Sequence, residues 1–382
     1  MRYNESDIMR RFVSVPDFFW ENFIGQGMHM TATHLAYLSI IGFFLPVCNS
    51  FVFMPKQEQE KFLEQSLVGS DPFHLRSFYK LSSSEFDTIV QKLEERGLLT
   101  PFSTGGIVLN TLQHLAQAGA NIDIGTSHGT GEKYSILDEI YTKLFRKKFL
   151  EESFLQPPRL IYLYEYNDHD PTVIFTTDYT GGLSDNFIEK IPSFAWYHLV
   201  LIDGHILPFP SSIEIIKQAC EDNTPVAVNC GKHNFLKIHK QEYLSLLPMI
   251  SMFTCNLEEA QILTDLSDVR NCAIALQKRM KPGASVLVTD ASRDFCIAKP
   301  DTVTVYSPPI FPENKIIHSM GCGDAAAAGF FLGNLLQLPD PIQASLIMKM
   351  GCSILESPST LVPEEKIRSI LTRHKVLPTP KK

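Results

Sequence analysis

Two glycines, an acid and a run of alanines near the C-terminal end carry the most legible chemistry of this chain. The stretch His318-Ser319-Met320-Gly321-Cys322-Gly323-Asp324-Ala325-Ala326-Ala327-Ala328-Gly329-Phe330 reads as a tight turn opening a helix, led in by a strand-like run over Lys315 to Ile317. Glycines permit positive φ, which lets successive backbone N–H groups point the same way. The helix N-terminus behind them adds its dipole, so the turn is a ready anion cradle. Asp324 stands where the anion would be held. A carboxylate is a poor anion ligand but a good general base for a substrate hydroxyl. A cradle beside a base points to phosphoryl transfer to an alcohol. Two other readings compete. The segment Gly321 to Ala326 fits the dinucleotide pattern G-x-G-x-x-A, but that motif calls for a following strand and an acid about 20 residues on. Ala344 stands there, inside another helical run. The bland alternative is a glycine turn that merely caps a helix.

Other stretches bear on the choice. Gly105-Gly106-Ile107-Val108-Leu109-Asn110 leads into a helix that runs through Ala118. Two glycines let backbone approach a ligand, and Asn110 can bond hydroxyls. Asn256-Leu257-Glu258-Glu259 follows a strand over Met252 to Cys255; alone, its two acids are a dipole-favoured first helical turn. Asn49 lies just beyond the apolar run Tyr37 to Phe44, at the strand end where open α/β sheets bind ligands. The stretch Gly125 to Lys133 imitates a P-loop and fails, because Glu132 separates the last glycine from Lys133.

Taken together these stretches resemble the ribokinase-like (phosphofructokinase B) kinases, over roughly residues 38 to 375. That family's second signature runs Asp-Thr-x-Gly-Ala-Gly-Asp; here it reads His318-Ser319-Met320-Gly321-Cys322-Gly323-Asp324. Its first signature, Gly-Gly-x-x-x-Asn, is met at every fixed position by Gly105, Gly106 and Asn110. The resemblance implies a three-layer α/β/α fold with a mostly parallel central sheet and a small β lid. It implies an ATP-dependent kinase acting on a hydroxymethyl group of a nucleoside or sugar, with Asp324 as base. Gly321, Cys322 and Gly323 become the anion hole, and Asn49, Gly105, Gly106 and Asn110 the substrate contacts. Thr289, Gly321 and Gly323 fall to the nucleotide. Glu259, with Asn256, falls to Mg²⁺, which keeps several waters and needs few direct protein ligands. The run Val226 to Leu263 is closest to the adenosine and inosine-guanosine kinase branch, which favours a nucleoside. Departures stand at His318, at Asn49, at His128, and at Asp290-Ala291-Ser292-Arg293-Asp294, where the family carries glycines. They motivate the alternative of a catalytically weak relative that binds a nucleoside or another protein. Cys322, where the family prefers Ala, is either a small residue that fits or a thiol made acidic by the helix N-terminus.

The elements that must position these residues follow from pattern. The chain has 382 residues, 44% hydrophobic and 20% charged, so it is globular. Its net charge of -8 argues against a nucleic-acid partner held by a general basic field. Eight scattered cysteines with no C-x-x-C pair suit free thiols in a cytoplasmic setting, as a monomer or homodimer. Met1 to Phe12 lacks a signal peptide's apolar core. Leu35 to Phe53 is nineteen residues without a charge, near the length of a membrane span. Pro46, Asn49 and Ser50 interrupt it, so the expectation is a buried strand followed by a loop over Leu45 to Ser50, with no membrane association.

Residues 1 to 33 read as an added aromatic-rich extension, and 34 to 382 as one kinase domain with lid strands including about 158 to 182. Leu160 to Tyr166 and Thr172 to Thr177 are expected to pair as a hairpin in that lid. Ser82-Ser83-Ser84-Glu85 and Ser211-Ser212-Ile213-Glu214 read as capping boxes opening helices. From about 198, buried strands (Leu199 to Ile202, Pro225 to Asn229, Met252 to Cys255, Ser285 to Thr289) alternate with helices. That pattern argues a parallel sheet covered on both faces.

Overall fold

The computed structural model describes residues 35, 37–44, 47–66, 78–100, 103–128, 135–152, 158–165, 171–176, 183–184, 186–231, 233–357 and 359–373. The extension over 1–33, the P-loop-like tip over 129–133, the hairpin turn over 167–170 and the segment 178–182 lie outside these residues. In chain order the elements are β1 (Ser39–Phe44), β2 (Val47–Phe53), α1 (Lys56–Ser66), β3 (Phe78–Leu81), α2 (Ser83–Glu95), β4 (Ser103–Gly105), α3 (Ile107–Ala118), β5 (Asn121–His128), α4 (Ser135–Leu144), β6 (Lys147–Glu152), β7 (Arg159–Tyr164) and β8 (Thr172–Thr176). Then come β9 (Leu199–Asp203), α5 (Pro210–Glu221), β10 (Val226–Asn229), α6 (His233–Leu246), β11 (Met252–Asn256), α7 (Leu257–Thr264), α8 (Val269–Gln277) and β12 (Ser285–Thr289). The chain closes with β13 (Phe295–Ala298), β14 (Val303–Tyr306), α9 (Cys322–Leu335), α10 (Asp340–Leu355) and α11 (Glu364–Arg373).

Nine strands form the main sheet in the order β14-β13-β12-β11-β10-β9-β1-β5-β6. All neighbours from β6 to β12 are parallel; β13 and β14 add an antiparallel edge. The parallel strands are apolar on both faces, which requires a layer of helices on each side. Alternate residues of β1 show the two layers. Ile40 and Phe44 join a core with Leu109 and Leu112 of α3 and Ala325 and Phe330 of α9. Ile41 and Phe43 face the other way, towards Ile215 of α5, Tyr243 of α6 and Ala260 of α7.

A second sheet runs β3-β8-β7-β2-β4. The hairpin is present, with Leu160 opposite Phe175. It is enlarged by β2, parallel to β7, and by β4, antiparallel to β2. The outer face packs Val52, Ile161, Leu163 and Ile174 against Phe62 of α1 and Phe86, Ile89 and Leu93 of α2. The inner face presents Phe51, Tyr162, Tyr164 and Val173, with Met320 against it. Among the described residues no helix is long and apolar enough to cross a membrane. The uncharged stretch before residue 54 is divided instead between β1 and β2, in two different sheets.

Four local expectations are corrected. Val47 to Ser50 is strand and not loop, because remote partners on β7 and β4 take its hydrogen bonds. Gly125 to His128, the start of the P-loop-like stretch, likewise extends β5, with Gly125 and Thr126 paired to both β1 and β6 and Ser127 and His128 to β6. Lys315 to Ile317 is no strand: a 3₁₀ turn ends at Lys315, and the Ile317 N–H donates to the Leu355 carbonyl at the end of α10, 2.7 Å away. The box at Ser211 is absent, since Phe209 caps α5 and Pro210 takes its first position, which puts Ser211 and Ser212 inside the helix. The box at Ser82 is present, with Glu85 answering the Ser82 N–H at 2.9 Å.

Candidate active site

The candidate base, Asp324, and the candidate cradle sit at the start of α9. Gly321 caps the helix at φ +87°, and a Cβ there would lie 2.7 Å from the Thr360 carbonyl oxygen, so the position admits only glycine. Gly323 is different: it is exposed, and a Cβ would meet nothing within 4 Å. Its open side is room for a ligand rather than a demand of the fold. The cradle is narrower than the sequence implies, because the Cys322 N–H turns inward to the Ser319 carbonyl at 3.2 Å.

Asp324, in the first turn of α9, is gripped from α3. The Asn110 side-chain amide donates to Asp324 Oδ2 at 2.8 Å, and the Thr111 hydroxyl donates to the Asp324 main-chain carbonyl at 3.3 Å. Gly106, at φ +115°, caps α3, and Gly105 is buried at the end of β4. Asn110 is 4% exposed, and its Oδ1 is buried with no hydrogen-bond partner. An orphaned acceptor beside a carboxylate, next to an open cradle, suits a ligand hydroxyl.

Asn256 and Glu259 form a reciprocal capping box at the start of α7: the Asn256 N–H donates to Glu259 Oε2 and the Glu259 N–H to Asn256 Oδ1, both at 2.9 Å. Burial, with the charges of Asp324 and Glu258 adding, pushes the Glu259 carboxyl up to about 8. A divalent cation would relieve that crowding of negative charge. Among the described residues no three His, Cys, Asp or Glu side chains form a metal cage. A buried carboxyl near Asp324 is compatible with a hydrated Mg²⁺ held largely by waters and phosphates. Thr289 ends β12 opposite Asn256 in the parallel register. After it Asp290 to Asp294 make a tight hairpin turn, in which Ala291 takes the left-handed conformation (φ +48°) that glycine would adopt more easily. Asn49 pairs through its backbone with Ser103 and Leu160; its side chain, and that of His128, lie outside the described residues.

Three features were not legible in the sequence. His318 is fully buried and stacked on Phe51, with ring centroids 5.2 Å apart, and burial pushes it down to about 4, so it is neutral at physiological pH. Tyr162, on the inner face of the second sheet, is held above its ordinary pKa by burial and by the charge of Asp324. The alternation of β7 was the available signal for it. Asn229, at the end of β10, bonds Thr111 and Thr254. Of the two readings of Cys322 the acidic thiol is disfavoured: burial and the neighbouring Cys352 and Asp324 push it up to about 12.

A mostly parallel nine-stranded sheet between helical layers, with a smaller sheet beside its signature turn, is the ribokinase-like α/β fold. Residues 94–346 match the sequence profile of the pfkB family carbohydrate kinases, and the chain belongs to that family of phosphotransferases with an alcohol group as acceptor. Over 138 residues it is 29% identical to the adenosine kinase of Schizosaccharomyces pombe (strain 972 / ATCC 24843), a stretch covering 33% of this chain and 40% of that protein. Among solved structures it superposes on adenosine kinase from Schistosoma mansoni in complex with 2-fluoroadenosine (TM-score 0.71, 16% identity, 86% of this chain and 98% of that one). It also superposes on adenosine kinase from Sinorhizobium meliloti (TM-score 0.69, 14% identity, 88% and 99%) and on a probable sugar kinase from Rhizobium etli CFN 42 (0.70, 13%, 89% and 99%). At these identities the likeness to the solved structures is one of fold.

Proposed function

We propose that this chain transfers the γ-phosphate of ATP to a hydroxymethyl group of a nucleoside. The observation that carries the reading is Asp324 at the foot of an open glycine cradle, with the orphaned Asn110 Oδ1 beside it. Asp324 takes the proton of the attacking hydroxyl. That hydroxyl has one hydrogen, which goes to Asp324. Asn110 Oδ1 therefore calls for a second hydroxyl on the acceptor, and nucleosides and sugars carry one. Backbone N–H groups of Gly321 and Gly323 stabilise charge on the moving phosphoryl group. Glu259, with Asn256 beside it, would hold Mg²⁺, which when bound would neutralise the charge that develops on the phosphates. The second sheet keeps water from the acceptor site, where it would compete for the phosphoryl group.

Phe51, Tyr162 and Tyr164 on the inner face of the second sheet are buried against one another and against His318, an apolar wall near Asp324, and the choice of a nucleoside over a simple sugar rests on sequence likeness. The similarity to the S. pombe adenosine kinase supports that choice. The described cysteines are free thiols, in keeping with a cytoplasmic enzyme. The test is a phosphoryl-transfer screen with MgATP over nucleosides and sugars, run beside Asp324→Ala. One nucleoside should turn over, and the mutant should lose roughly 10³-fold or more in kcat. Equal turnover by the mutant refutes the assignment of the base. No turnover by folded wild type, with nucleoside binding indifferent to ATP and Mg²⁺, replaces the kinase reading with a binding role.

A further inference from the structure

We propose that Asn229 is a positioning residue, which through Thr111 braces the base against the central sheet. The proposal rests on Asp324 being that base. Asn229 is the last residue of β10 and is 7% exposed, and both ends of its amide are used. Its Nδ2 donates to the Thr111 hydroxyl at 3.2 Å, and its Oδ1 accepts from the Thr254 hydroxyl of β11 at 2.8 Å. Thr111 is wholly buried, and its one hydroxyl hydrogen lies between the Ile107 carbonyl (2.9 Å) and the Asp324 carbonyl (3.3 Å).

The polarity of this chain is forced. Because the Thr111 hydrogen is spent on two carbonyls, the Thr111 oxygen can only accept from Asn229. The amide must therefore turn its Oδ1 towards Thr254, whose hydroxyl donates to it. Each contact on the path from β11 through β10 and α3 to α9 thus joins a donor to an acceptor. Asn110, next to Thr111, holds the Asp324 carboxylate itself, so consecutive residues of one helix turn fix the base at its backbone and at its side chain. Apolar packing alone leaves α3 free to shift by fractions of an ångström, whereas a directional hydrogen bond to the sheet at the site end of the helix does not. Such shifts matter, since a 1 Å misplacement of a reacting group costs about 10²-fold in rate. The sheet edge that presents Asn229 also presents Asn256, so the brace refers the base to the same framework as Glu259.

Isosteric substitutions separate positioning from bulk stability. Thr111→Val keeps shape and removes the hydroxyl. We expect kcat to fall about tenfold, with KM for the acceptor within about twofold. Thr111→Ser, which keeps the hydroxyl, should restore kcat to within about twofold of wild type. Thr254→Val frees the other end of the same amide and should give a similar loss. The double valine variant should then be no worse than about the larger single loss, because both act on one group. If Thr111→Val does not fold, Thr254→Val carries the test alone. Wild-type kcat in folded Thr111→Val or Thr254→Val, with Asp324→Ala inactive, overturns the brace and leaves the base standing. A loss confined to KM also overturns it. An active Asp324→Ala removes the base instead.

Discussion

Replacing Gly323 with alanine should stabilise this protein and stop its turnover. Gly323 is the second residue of α9, and a Cβ built there meets nothing within 4 Å. Alanine is favoured over glycine in a helix by 0.5–1 kcal/mol, so a gain of about 0.5 kcal/mol is expected so close to the helix end. The same methyl projects into the mouth of the cradle. A phosphoryl oxygen must come within about 3 Å of the backbone N–H groups there, and losing one such donor costs about 10²–10³ in kcat. Gly321→Ala is the control of opposite sign. At φ +87° a side chain costs about 1–2 kcal/mol, and the Cβ would lie 2.7 Å from the Thr360 carbonyl oxygen. Thermal melts and initial rates with MgATP read both quantities. Gly323→Ala should melt slightly higher and be nearly inactive, and Gly321→Ala should melt lower. Full turnover by Gly323→Ala would refute the claim that the phosphoryl group sits in this cradle. A lowered melting temperature would refute the claim that the open side of Gly323 is kept for a ligand.

Two further outcomes follow from buried groups. His114 is fully buried on α3 with neither ring nitrogen bonded, and burial pushes it down to about 3 from an ordinary 6.5. The unfolded chain therefore takes the proton at this residue first, and the contribution of His114 to stability falls as pH drops from about 6.5 towards 3, by about 2 kcal/mol at pH 5. Urea unfolding at pH 7 and pH 5 should show the stability of wild type falling relative to His114→Leu by about 2 kcal/mol, a difference from which the shared contributions of His318 and Glu259 cancel; a difference that does not change with pH would refute it. Cys322, pushed up to about 12, should be about 10⁻⁴ thiolate at pH 8 and resist iodoacetamide, with kinase activity unchanged. Mass spectrometry that found it labelled at the rate of a free thiol would sink that reading.

What could be read from the chain was whatever short-range chemistry decides. Strand β12 was legible to the residue because Ser285 to Thr289 is a short apolar run, buried on both faces with its neighbours. The turn at Gly321 was legible because positive φ is a demand a few residues make by themselves. Strand β2 was not, since Pro46 and the polar run Cys48-Asn49-Ser50 carry the marks of a loop. Its partners on β7 lie more than a hundred residues away, and only pairing makes it a strand. Asn256 and Glu259 show both sides of the limit. Their spacing was visible, and the fold makes it a helix cap whether or not a metal binds.

Asn110 shows why the site itself is harder to read than the fold. As a residue type it can donate and accept, so the sequence offers it to a substrate hydroxyl and stops there. The fold brings it to Asp324, 214 residues away, and commits one amide hydrogen to the carboxylate. Its Oδ1 is left without a partner, and that changes what the site can recognise. The bare oxygen calls for a donor, while the amide that carries it holds Asp324. Asn110→Asp would reverse that polarity, since a carboxylate cannot donate to Asp324 and would repel it. In the proposed site the orientation of Asn110 is thus set by a contact between two residues of this chain, made before any substrate arrives.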